Sequence, residues 1–137
     1  VSNFFWIGWL IAIVTFWAGH YINAKVRKQE RIRALIELYM QKTQELEDDA
    51  LGYWVNMDEK IYIFQLNIKI KRLSTISKRL TKENKSLGHP VDEYIWFKKA
   101  ISLDCPDDIR PLDISSDRAK RIMTYSHKLQ TYFEDRI

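Results

Sequence analysis

The residues that stand out chemically are cations without acids. From Lys60 to Lys82 the chain carries seven basic side chains and no Asp or Glu: Lys60, Lys69, Lys71, Arg72, Lys78, Arg79 and Lys82. A solvated helix face normally interleaves Glu with Lys, so a face of one sign points to phosphate-bearing ligands or lipid head groups. On a helix, Lys71, Lys78 and Lys82 share one flank, with Lys69, Arg72 and Arg79 beside them. A second basic cluster, Arg118, Lys120, Arg121 and Lys128, falls near the C-terminus. Tyr62, Tyr94, Trp96 and Tyr125 lie close to these charges in sequence and are candidates to stack on nucleobases while the cations meet phosphates. The competing reading of Trp96 and Phe97 is core, because a small helical domain needs its large side chains inside.

Other chemistry finds no support. The chain has no Gly-rich phosphate loop, G-x-S-x-G or H-E-x-x-H motif. Its single cysteine, Cys105, excludes an internal disulfide, and no paired Cys/His set suggests a metal. Asp104, Asp107 and Asp108 lack the spacing of a calcium loop and read as turn and cap residues. No enzyme activity and no cofactor are expected. The net charge of +4 suits a partner such as anionic lipid or a small anionic ligand and is too small to imply duplex nucleic acid.

The elements that must position the cations begin at a break in composition. Residues 1–24 contain no Lys, Arg, Asp or Glu, so all the charged side chains follow Ala24. The run from Phe4 to Ala24 spans roughly 30 Å as a helix, the hydrocarbon thickness of a bilayer. Phe4, Phe5, Trp6 and Trp9 at one end and Trp17 and Tyr21 at the other fall where interfacial aromatics belong. No basic residue precedes the run, which argues against a signal peptide. Lys25, Arg27, Lys28 and Arg31 follow it, so the positive-inside rule orients the N-terminus outside and the remainder in the cytoplasm of a single-pass inner-membrane protein. Gly8, Ala12 and Gly19 form a small-residue stripe suited to close packing between such helices.

The expected class is mainly α: a transmembrane helix over 1–24, a helical stalk over 25–52 and a small helical cytoplasmic domain over 53–137. Ile32, Ile36, Tyr39, Thr43, Leu46, Ala50 and Tyr53 make a heptad seam, whose partner is either a second copy or a later helix of the same chain. Glu45, Glu47, Asp48 and Asp49 read as the stalk's solvated side, and Gly52 as its first break. Residues 57–87 read as a helix, with a short strand near 61–70 as the alternative, because Ile61, Ile63, Leu66, Ile68 and Ile70 partly alternate. Gly88, His89 and Pro90 end that element. A short helix from Val91 to about Ser102, a loop through Pro111, and a last helix capped by Ser115 or Ser116 complete the chain.

In layout the chain resembles the single-pass membrane effectors of prokaryotic type III CRISPR antiviral systems that respond to cyclic tetra-adenylate. The apolar run Phe4–Ala24, the basic exit Lys25–Lys28 and the short helical remainder with its Lys69–Lys82 stretch carry the resemblance. It implies a homo-oligomer, with a tetramer matching the fourfold ligand, each subunit offering the same cations to one nucleotide. The rival class is a membrane-tethered coiled-coil adaptor that recruits a protein through the seam and the aromatic surface.

Overall fold

The structure is a computed structural model that describes residues 2–102 and 110–136. It is mostly helical, with no strand among the described residues. Four α-helices follow in order: α1 Ser2–Trp54, α2 Ile63–Glu83, α3 Val91–Ile101 and α4 Asp117–Tyr132. Short 3-10 turns occupy Lys85–Leu87 and Glu134–Arg136. The chain divides into two compact units, one ending at Ala34 and the other beginning at Leu35. Helix α1 supplies residues to both.

The first unit holds the apolar part of α1 and the charged stretch 25–33 that follows it. The helix is long and apolar enough to cross a membrane, and none of its apolar stretch is covered by other parts of the chain. Phe4, Trp6, Trp9, Phe16 and Trp17 all stand exposed.

The second unit is a helical domain built around the inner part of α1. Ile36, Tyr39, Thr43, Leu46 and Ala50 are buried, as the heptad spacing requires. Their partners are later helices of the same chain. Phe133 packs edge-on against Tyr39 with ring centroids 5.1 Å apart. Gln130 of α4 donates to Gln44 at 3.0 Å, and Ser126 donates to Glu47 at 2.8 Å. The seam ends on Trp54, which is fully buried, rather than on the half-buried Tyr53. Two of the four acids expected in solvent are drawn inward: Glu47 toward α4 and Asp49 to an ion pair with Lys69 of α2. Gly52 does not break α1, which continues one half-turn further and ends before Met57 at positive φ (49°).

Helix α2 replaces the strand alternative. Alternation over 61–70 covers too few residues to compete with Leu66, Ile70, Leu73, Ser77 and Leu80, all buried on one helical stripe. Its start is held by the Gln65 carbonyl oxygen, which accepts from the Tyr62 amide at 3.4 Å. The helix stops at Glu83 rather than at Gly88. Asn84 turns the chain out by accepting from the Ser86 amide at 3.1 Å. Gly88 then sits at φ 69°, ψ −171°, a region only glycine enters readily. Pro90 occupies the cap position before α3, one residue earlier than a first-turn proline. Ser116 caps α4, accepting from the Ala119 amide at 3.4 Å, and Ala119, Ile122, Ser126 and Leu129 face the core.

Candidate anion-binding groove

The second unit has a groove between α1 and α2, of about 290 Å³. Lys42 and Glu45 of α1 form one wall, and Lys69, Arg72, Thr75, Ile76 and Arg79 of α2 form the other. The arrangement follows from helical spacing: 69, 72, 76 and 79 are steps of three and four, which fall on one flank of α2 beside its buried stripe. Lys42 immediately precedes the seam residue Thr43 and so projects from the seam's edge.

Charge within the groove is partly compensated. Lys42 pairs with Glu45 at 3.3 Å, and Lys69 pairs with Asp49. Arg72 and Arg79 are exposed, and no carboxylate among the described residues lies within ion-pair distance of either. Planar guanidinium groups of this kind match phosphate oxygens two at a time. The Thr75 hydroxyl, between them along the helix, donates to the Lys71 carbonyl at 3.2 Å and retains its lone pairs as acceptors.

The cations named from the sequence therefore separate into three sets. Lys69, Arg72 and Arg79 line the groove. Lys71, Lys78 and Lys82 are exposed on the opposite flank of α2. Lys78 is close enough to His89 to help hold its imidazole below the usual histidine range, although partial burial of the ring is the larger cause. His89 Nδ1 and the Ser77 hydroxyl share a hydrogen bond. On α4, Arg121 is exposed, but Arg118 is no ligand residue. It is 3% exposed, its guanidinium donates to the carbonyls of Ala100 (2.9 Å) and Ser102 (3.1 Å), and it lies 4.2 Å over the Trp54 ring. The last carbonyls of α3 need donors, and a buried cation supplies them.

The four aromatic candidates do not converge. Tyr62 is exposed and stacks on Phe64 at 5.8 Å. Tyr94 is half-buried and donates to the Ile70 carbonyl at 3.2 Å, with burial raising its hydroxyl above the usual phenol range. Trp96 and Tyr125 do meet, stacked with centroids 6.3 Å apart and planes 15° from parallel. The Lys99 ammonium lies over Trp96 at 5.0 Å and that of Lys128 over Tyr125 at 5.2 Å. Phe97 is core as expected, whereas Trp96 is half exposed. Neighbouring helix positions point about 100° apart, and here Phe97 takes the inward direction while Trp96 falls at the edge of the outer face.

Sequence reading missed Lys42 as a groove residue, although its place at the edge of the seam was a usable signal. Lys99 was missed as well, one turn beyond Trp96's neighbour Ile95. Asp104, Cys105, Asp107 and Asp108 lie outside the described residues, among which no cluster of His, Cys, Asp or Glu is arranged to hold a metal ion. On the first helix, Gly8 and Ala12 line a shallow apolar groove with Phe4, Phe5 and Trp9, and Gly19 has open space around it. Lys25, Arg27, Lys28 and Arg31 follow on the same helix and are exposed. Compared with known protein families, curated proteins and solved structures, the chain matches none of them.

Proposed function

We propose that this chain is a single-pass membrane effector whose cytoplasmic helical domain binds a phosphate-bearing ligand in the groove between α1 and α2. The reading rests on one observation above all: Arg72 and Arg79 face a groove whose other wall is α1, the helix that also carries the apolar run. The basic residues 25, 27, 28 and 31 support a cytoplasmic domain through the positive-inside rule. A cyclic oligoadenylate, the ligand implied by the resemblance, would offer one phosphate to each subunit of a homo-oligomer, with four subunits for a fourfold ring. Binding would favour the arrangement of α1 helices with higher ligand affinity, by no more than that affinity difference. In this reading the response is a perturbed bilayer, harming an infected cell.

The test uses the full chain in lipid nanodiscs and cyclic tetra-adenylate. Binding should weaken as salt rises and fall at least tenfold on Arg72→Glu with Arg79→Glu, while the helical circular-dichroism signal is retained. No binding to the wild-type chain would sink the effector reading.

A second reading is favoured by a different observation. Met57, Tyr62, Phe64 and Ile68 stand exposed around the start of α2, an apolar surface of the kind protein partners cover. An adaptor would use this surface, since the seam from Ile36 to Trp54 is already covered by the chain's own helices. Stoichiometric co-purification of a protein that is lost on Phe64→Ser and Ile68→Ser would favour it.

A further inference from the structure

Helix α3 is amphipathic in an unusual way. Its inner face is Phe97, Ala100 and Ile101, all buried. Its outer face mixes apolar and charged side chains: Val91, Ile95 and Trp96 are 49%, 42% and 49% exposed, with Asp92 and Lys99 exposed among them. Trp96 stacks on Tyr125 of α4, and Lys99 and Lys128 lie over the two rings. Lys98 is exposed at the same end of the helix. The helix's acids, Asp92 and Glu93, are confined to its first turn, where they favour the helix dipole.

We infer that the outer face of α3, together with Tyr125 and Lys128, docks on an anionic phospholipid surface. Tryptophan and tyrosine combine an apolar body with a polar tip and settle at head-group depth. Lysines beside them extend their ammonium groups to lipid phosphates while their methylene stems cover apolar surface. The same arrangement disfavours nucleobase stacking, because an ammonium already lies over each ring and a base would have to displace it. The inference rests on the membrane reading of α1: with an anchor in the same chain, docking is intramolecular and needs little intrinsic affinity.

The experiment uses the full chain with Cys105→Ser and Ile95→Cys, labelled at position 95 with an environment-sensitive fluorophore. The labelled chain is placed in phosphatidylcholine nanodiscs with or without phosphatidylglycerol. The expected result is a blue shift and brighter emission when phosphatidylglycerol is present, lost on Lys98→Glu, Lys99→Glu and Lys128→Glu with helical content retained. Water-like emission in both disc types, from a chain that co-elutes with the discs, overturns docking and leaves the anchor standing. A shift that survives the charge reversals also overturns it. A shift evoked by adenine nucleotides in discs without phosphatidylglycerol makes the face a nucleotide platform instead. Failure of the chain to enter the discs overturns docking and anchor together.

Discussion

Arg118 and Arg72 are alike in type and differ in work. Arg118 is enclosed between Trp54 and the end of α3, with its donors spent on carbonyls that have no helical partner. Charge-assisted hydrogen bonds of this kind contribute about 1.5–3 kcal/mol each. Arg118→Ala should therefore lower unfolding stability by about 3 kcal/mol in denaturant titration, whereas Arg72→Ala should change it by less than about 0.5 kcal/mol. Tyr39 is the opposite case. Its hydroxyl is buried with no hydrogen-bond partner among the described residues, and burial, with Tyr94, Glu93 and Tyr132 nearby, holds it neutral well above the ordinary phenol range. Removing an unpaired buried hydroxyl removes a desolvation cost, so Tyr39→Phe should stabilise the chain by about 1 kcal/mol in the same titration. Tyr39's place in the seam was legible beforehand but its unpaired hydroxyl was not, and Arg118's role was not legible at all. A basic side chain near other basic side chains reads as surface, and only the tertiary approach of Trp54 makes Arg118 interior.

At the scale of elements, the turns between helices carry more of the specification than their length suggests. Between α2 and α3, the Gly88 carbonyl accepts from the Thr81 hydroxyl at 2.9 Å, and the neighbouring Leu87 carbonyl accepts from Tyr132 at 3.2 Å. A Cβ at position 88 would meet the Tyr132 hydroxyl at 3.1 Å and would have to adopt a backbone region reserved for glycine. Gly88→Ala should cost about 2 kcal/mol, read as a lower unfolding midpoint with an unchanged denaturant slope. The boundary of α3 and the cap of α4 were readable because Pro90, Asp92 and Ser116 act through local backbone chemistry. The partner of the α1 seam was not. Three-four spacing demands an apolar partner but is the same whether that partner is another chain or a helix further along, and here Phe133 and its neighbours fill it. The groove was half legible for the same reason: α2 announced its cations by lacking acids, while Lys42 and Asp49 joined them only once the two helices packed.

For the whole molecule, the composition break after Ala24 is the plainest message in the sequence, because a bilayer imposes rules of length and charge that need no tertiary information. If the proposed orientation holds, neutralising Lys25, Arg27, Lys28 and Arg31 to Gln should convert one topology into a mixture. Protease access to a tag added after Ile137, compared in intact and opened cells, measures this. Wild type should be cleaved only after opening, and the variant should already be partly cleaved in intact cells. One feature of the second unit bears on its dynamics. The final carbonyls of α1 are bound from far along the chain: Tyr53 accepts from Arg110 Nε at 2.6 Å, and Trp54 accepts from the Leu112 amide at 2.7 Å. Arg110 also lies 3.7 Å over the Tyr53 ring. A helix end is ordinarily the first place to fray. Here α1 cannot loosen its last turn without releasing the strap at 110–112, so the amide protons of that turn and of the strap are expected to exchange together, as hydrogen-exchange measurement would show.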